Sequence, residues 1–226
     1  MPLKNVVIVH GAFADGSGWR DVFDILVKDG HSVSIVQIPL TSLADDVAAT
    51  KRALDLQQGP CLLVGHSYGG VVITEAGNAP NVAGLVYVAA FIPDKGESAV
   101  SLLSQAPAAN DDMRATTDGF LYMDPAKFPA DFAADIPTDA AKFMANSQPM
   151  LAAAAGGAPV TAAAWRQKKS WALIASDDHN INPDLERTMA KRAGCETIEV
   201  PGSHVVYRSK PKDVAHLIAR AAKAAG

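Results

Sequence analysis

The sequence predicts an α/β fold: a mainly parallel six-stranded sheet flanked by helices, with a helical cap inserted after the fourth strand. Three observations carry that prediction. Short β-branched runs alternate with longer amphipathic stretches, the pattern of parallel strands joined by crossover helices. The alternation breaks once, between about residues 92 and 165, and then resumes. Residues able to act as nucleophile, base and acid fall just after strand-like runs, at the edge of an open parallel sheet where ligands bind.

Taken in order, strands are expected at 5–10, 32–37, 61–65, 84–89, 170–176 and 196–200. Between the first two, Trp19, Val22, Phe23 and Leu26 recur at helical spacing, and Val47 and Leu54 with intervening alanines do the same over 43–56. Asn182 and Pro183 form a helix cap and first turn, with Leu185 and Met189 facing inward and Gly194 as terminator. Val214, Leu217, Ile218 and Ala221 make the apolar stripe of a final helix. At 226 residues, with 49% hydrophobic and 19% charged content, the chain can bury one substantial core, so 1–226 is expected to be a single domain.

The interruption at about 92–165 is rich in Ala and Pro and is the expected cap subdomain. Its bulky apolar residues are too many for a linker and too irregular for one amphipathic helix. Phe120, Tyr122, Phe128, Phe143, Met144 and Trp165 from this segment, together with Phe13 and Val205, are the candidates for lining an apolar substrate pocket. The alanine-rich run at 151–164, broken by Gly156, Gly157 and Pro159, reads as a pair of short helices.

Composition excludes several classes. A net charge of −4 with scattered lysines and arginines leaves no footprint for nucleic acid. No run approaches the ~18 apolar residues of a membrane span, and the opening Met-Pro-Leu-Lys leads directly into Val6-Val7-Ile8-Val9, too short for a signal peptide. A cytoplasmic protein is expected. Cys61 and Cys195 sit in no metal or redox spacing and read as inert thiols. No His, Asp and Glu set has metal-ligand spacing, and Gly16-Ser17-Gly18 lacks the dinucleotide fingerprint, so no metal and no cofactor is expected.

The chemistry centres on Gly65-His66-Ser67-Tyr68-Gly69, which follows the apolar run Cys61 to Val64 and precedes a helix-compatible one. Glycines two before and two after a serine fit a sharp strand-to-helix turn that lifts the hydroxyl above the sheet edge. A serine hydroxyl is a weak nucleophile at neutral pH and needs a base and a carboxylate to orient it. His204 in Pro201-Gly202-Ser203-His204 follows the last strand, and Asp178 in Ser176-Asp177-Asp178-His179 follows the fifth. The turn His10-Gly11-Ala12-Phe13 closes the first strand with small residues that let a backbone N–H approach a developing oxyanion. Of the other histidines, His66 reads as a packing or supporting residue, and His10 as a backbone partner in its own turn.

The His10-Gly11-Ala12-Phe13 start, the Gly65 to Gly70 elbow, the strand Val86-Tyr87-Val88-Ala89-Ala90-Phe91 and the Pro201-Gly202-Ser203-His204 loop resemble the α/β-hydrolase superfamily, in particular the branch of plant hydroxynitrile lyases, methyl-ester esterases and bacterial esterase relatives. The resemblance spans essentially the whole chain and implies an α/β-hydrolase fold. It implies Ser67 as nucleophile, His204 as base, Asp178 as orienting acid, and the N–H groups of Ala12 and Tyr68 as oxyanion hole. Asp178 is preferred to Asp177 because the family's acid lies five residues before a proline, as Asp178 does before Pro183. Cyanogenic members carry a lysine after the catalytic histidine and a threonine after the first strand's histidine. Here those places hold Val205 and Gly11, which favours ester hydrolysis over cyanohydrin cleavage.

The expected activity is therefore cleavage of small to medium apolar carboxylic esters through an acyl-enzyme. Hydroxynitrile-lyase-like cleavage or cofactor-free perhydrolysis on the same triad is the alternative, and a non-enzymatic ligand receptor a third. The expected partner is a small-molecule ester, with neither nucleic acid nor membrane, and the chain could pair as a homodimer.

Overall fold

Parallel strands buried on both faces read as continuous apolar runs, and three such runs form the centre of the molecule. The computed structural model describes residues 3–106 and 108–226. β1 (Asn5–Val9) leads through a short 3₁₀ turn at Gly16–Trp19 into α1 (Arg20–Lys28), β2 (Ser32–Val36) and α2 (Leu43–Asp55). β3 (Cys61–Ser67), α3 (Gly69–Ala76) and β4 (Val82–Ala90) follow. With two later strands, β8 (Lys169–Ala175) and β9 (Glu196–Val200), the main sheet has the order β2-β1-β3-β4-β8-β9 and every pairing in it is parallel. Because β2 lies outside β1, the chain reverses its winding between β1 and β3, and the crevice at their carboxyl ends is where ligands bind in such sheets. All seven residues of β3 are buried.

The insertion between β4 and β8 contains α4 (Ala99–Leu103), β5 (Met113–Ala115), β6 (Phe120–Met123), α5 (Phe128–Asp131), α6 (Thr138–Ser147), β7 (Leu151–Ala152) and α7 (Ala153–Gly157). It is helical as expected, and in addition carries a three-stranded antiparallel sheet, β5-β6-β7. The run at 151–164 departs from the expected helix pair. Leu151 and Ala152 pair with Leu121 and Phe120, and the Ala152 N–H donates to the Leu40 carbonyl at 2.9 Å. Those external acceptors draw the first two residues into a strand and leave a single short helix before Pro159.

After the insertion come β8 (Lys169–Ala175), α8 (Pro183–Arg192), β9 (Glu196–Val200), α9 (Val206–Ser209) and α10 (Pro211–Ala225). The Asn182 side chain caps α8 by accepting the Asp184 N–H at 2.9 Å, and Gly194 ends it at φ 64°. Val214, Leu217, Ile218 and Ala221 are buried along one face of α10. Each such aliphatic side chain contributes about 1.5–3 kcal/mol relative to exposure. Cys61 and Cys195 are unpaired, and burial pushes their thiols up to about 11 and about 12. Among the described residues no helix is long and apolar enough to cross a membrane.

Candidate active site

β3 ends at Ser67 and α3 begins at Gly69, so a single residue makes the turn. Ser67 takes φ 52°, a left-handed conformation uncommon outside glycine. The flanking glycines are required by close approach rather than by their own dihedrals. A Cβ at Gly65 would lie 2.6 Å from the Gly69 carbonyl oxygen, and one at Gly69 would lie 2.6 Å from the carbonyl oxygens of Val9 and His10. The turn therefore holds only when strand, helix and the end of β1 touch backbone to backbone.

The structure brings Ser67, His204 and Asp178 into one hydrogen-bonded line. The Ser67 hydroxyl lies 2.8 Å from His204 Nε2, and His204 Nδ1 lies 2.6 Å from Asp178 Oδ2. The other carboxylate oxygen, Oδ1, accepts the backbone N–H groups of Asn180 at 2.7 Å and Ile181 at 3.0 Å. An acceptor-only carboxylate fixes the histidine proton on Nδ1 and leaves Nε2 as the acceptor of the serine proton. All three side chains are buried. Asp177 is the residue the sequence leaves as competitor; its N–H donates to the Gly202 carbonyl, and among the described residues its carboxylate accepts only the Ser176 hydroxyl, at 3.4 Å.

At the end of β1, His10 is a backbone partner, as expected. The Ile38 N–H donates to its Nε2 at 3.1 Å, so Nδ1 carries the proton and donates to the Gly11 carbonyl at 2.8 Å. Within one peptide plane C=O and N–H point in opposite directions. Holding the Gly11 carbonyl thus aims the Ala12 N–H away from His10. Among the described residues neither the Ala12 nor the Tyr68 N–H has a protein acceptor. Both residues line the same cavity as Ser67 and His204.

Two supporting contacts concern the histidine loop. His66 Nε2–H donates to the His204 carbonyl at 2.9 Å; burial, then the neighbouring His204, hold its pKa well below the usual histidine value, so it stays neutral. Asp135, from the insertion, accepts the Ser203 N–H at 2.9 Å and the Ser203 hydroxyl at 2.5 Å. Sequence reasoning missed Asp135, which sits in no motif and is 68 residues from its partner.

The cavity above Ser67 has a volume of about 240 Å³. Its walls include Phe13, Phe91 and Ile181, and the insertion residues Leu121, Met123, Phe132 and Leu151. Phe13 is thus the one expected pocket residue that lines it. Phe120 and Tyr122 do not, because successive residues of a strand face opposite ways and β6 turns Leu121 and Met123 to the cavity. Phe128 is fully buried behind it, stacked at 4.5 Å on Phe132, whose ring meets the His204 ring at 4.8 Å. Phe143, 72% exposed, and Met144 belong to a separate outer groove that they share with Phe13. Trp165 donates from Nε1 to the Pro93 carbonyl at 2.8 Å and anchors the base of the insertion. Val205 is buried in the core and does not line the cavity. Replacing Leu121 by serine is expected to raise KM for an apolar ester severalfold, whereas Phe120→Ser leaves it close to wild type; equal effects would refute this strand phase.

Comparison with known proteins agrees with this fold. A family model described as "Alpha/beta hydrolase family" matches residues 6–217. A carbendazim hydrolyzing esterase from Nocardioides sp. (strain SG-4G) is 37% identical over 120 residues, 46% of this chain and 49% of that protein. The chain therefore spans about half the length of the curated relative it matches. A pyrethroid hydrolase from Sphingobium faniae JZ-2 has the same fold, with TM-score 0.85, 21% identity and 98% of both chains covered. So does polyneuridine aldehyde esterase, with TM-score 0.80 and 15% identity over 96% of this chain and 98% of that one. With a serine turn between β3 and α3, its partners at later strand ends and a family match from the first strand to the last helix, the chain belongs to the alpha/beta hydrolase family.

Proposed function

We propose that the protein is a serine hydrolase that cleaves small to medium apolar carboxylic esters through an acyl-enzyme intermediate. The observation that carries this reading is the hydrogen-bonded line Ser67–His204–Asp178 opening onto an apolar cavity. In the first half-reaction the Ser67 oxygen attacks the ester carbonyl carbon while its proton passes to His204 Nε2. The N–H groups of Ala12 and Tyr68 donate hydrogen bonds to the negatively charged tetrahedral oxygen. Collapse expels the alcohol, which takes the proton from His204, and leaves Ser67 acylated. Water, deprotonated by the same nitrogen, attacks the acyl carbon; the serine oxygen leaves with that proton and the carboxylic acid is released.

Cavity size and charge support the substrate class. About 150 Å³ suffices for a benzene ring, so 240 Å³ takes a ring or branched chain with a few further heavy atoms. Among the described residues no Lys or Arg lines the cavity, and Asp111, at the rim, is the only carboxylate that does. This absence of a cation, rather than Val205 itself, disfavours cyanohydrin cleavage, whose cyanide leaving group needs a positive neighbour. The esterase name of the relative matched over half its length points the same way.

A panel of p-nitrophenyl esters run beside mandelonitrile tests the reading. Turnover is expected for neutral acetate to hexanoate esters and not for mandelonitrile. A hemisuccinate ester is expected to show kcat/KM at least tenfold below butyrate, since its carboxylate would enter an apolar cavity unpaired. Mandelonitrile cleavage exceeding ester turnover would overturn the proposal. A serine-reactive phosphonate should label the wild type; no labelling would instead indicate a receptor.

A further inference from the structure

Tyr68 is held at its far end as well as through its backbone. Its carbonyl accepts the Val71 N–H at 2.9 Å, and its phenol donates to Asp46 Oδ2 at 2.8 Å. Asp46 Oδ1 accepts the Leu40 N–H at 2.7 Å. The Asp46 side chain comes from the first turn of α2 and is fully buried. Both these partners are neutral donors. A buried carboxylate costs several kcal/mol before its hydrogen bonds are counted, and an apolar residue of similar volume often serves stability as well or better. Burial accordingly pushes the Asp46 carboxyl up, against the pull of the Tyr68 and Leu40 bonds.

What the carboxylate contributes is geometry. Leu40 takes φ 61°, a left-handed conformation for a branched side chain. Its carbonyl receives the Ala152 N–H of β7, next to the cavity residue Leu151. One buried side chain thus ties the residue after Ser67 to the turn on which the insertion rests.

Resting on the hydrolase reading above, we infer that Asp46 is a positioning residue for the oxyanion site: by pinning the Tyr68 phenol it fixes the direction of the Tyr68 N–H. The Ser67–Tyr68 peptide that carries this N–H is held at its own carbonyl, which accepts the Phe91 N–H at 3.2 Å; with the Tyr68 carbonyl and phenol anchored on the other side, the peptide loses its freedom to rock, and the N–H is in place before charge develops. Oxyanion stabilisation depends on such preorganisation, and misplacement by about 1 Å can cost as much as ~10²-fold in rate.

The test is Tyr68→Phe, which keeps the ring and removes only the hydroxyl, with Asp46→Ala and Asp46→Asn beside it. Tyr68→Phe is expected to lower kcat about tenfold with KM within twofold, and to weaken a trifluoromethyl ketone inhibitor by the same factor. Asp46→Ala should lose at least as much, and the double variant little more than Asp46→Ala alone. Asp46→Asn should recover most of that loss, because its Oδ1 can accept from Leu40 and its Nδ2 can donate to the phenol oxygen. Wild-type kcat and inhibitor affinity in Tyr68→Phe, or no recovery in a folded Asp46→Asn, would overturn the inference. Should Asp46→Ala not fold, Tyr68→Phe alone decides. These outcomes are separable from failure of the hydrolase reading, which would show as turnover that survives Ser67→Ala.

Discussion

Replacing Ser67 by alanine is expected to lower ester turnover at least 10³-fold, since a nucleophilic serine acts as a unit with its base and its removal forfeits about that much or more. The fold should tolerate the change. Ser67 is already at φ 52°, alanine adds no volume, and the Phe91 N–H that donates to the Ser67 carbonyl keeps its acceptor. Binding should also survive, because the walls of the cavity are supplied by other residues. The expected signature is therefore loss of kcat and of phosphonate labelling with an unchanged melting temperature. A loss under tenfold would mean that another side chain performs the attack.

Asp178→Asn is expected to cost about 10³–10⁴-fold in kcat with even less change in shape. The argument rests on the second carboxylate oxygen. Oδ1 accepts two backbone N–H groups, from Asn180 and Ile181. An asparagine must keep its carbonyl oxygen there, because an NH₂ group facing two donors would leave all of them unpaired. Its NH₂ then points at His204 Nδ1, which must become an acceptor. The ring proton moves to Nε2, where it faces the Ser67 hydroxyl and blocks the base. Asp177→Asn, altering a side chain that bonds the Ser176 hydroxyl at 3.4 Å and not His204, should stay near wild type. The reverse ranking in steady-state kinetics would transfer the orienting role to Asp177.

The fold was legible because its strands carry their own signal. All six core strands fall within two residues of the expected positions, since runs such as Val6–Val9 and Leu62–Val64 are buried on both faces and need no partner to be recognised. The hydrogen-bonded residues Ser67, His204 and Asp178 were legible because each follows such a run and is fixed by local geometry. The cavity wall was not. Met113–Ala115 and Phe120–Met123 are three and four residues long, too short for an alternation to declare its phase, so the larger aromatics drew attention from Leu121 and Met123. Asp46 was hidden for a different reason. Beside Asp45, which bonds the Ser42 cap, it looks like a second acid favouring a helix N-terminus, and only the tertiary structure places the Tyr68 phenol against it.

The two bonds from Ser203 to Asp135 bear on how this scaffold can diversify. The segment between β4 and β8 supplies much of the cavity wall and is, on its face, the natural unit for recombination among relatives. Yet it also supplies the acceptor that steadies the residue before His204. A chimera that imports a foreign segment without an equivalent carboxylate would gain a new cavity wall and loosen the loop that carries His204. Successful exchanges should be those in which a carboxylate facing the histidine loop travels with the transplanted piece, so selectivity and turnover are inherited together.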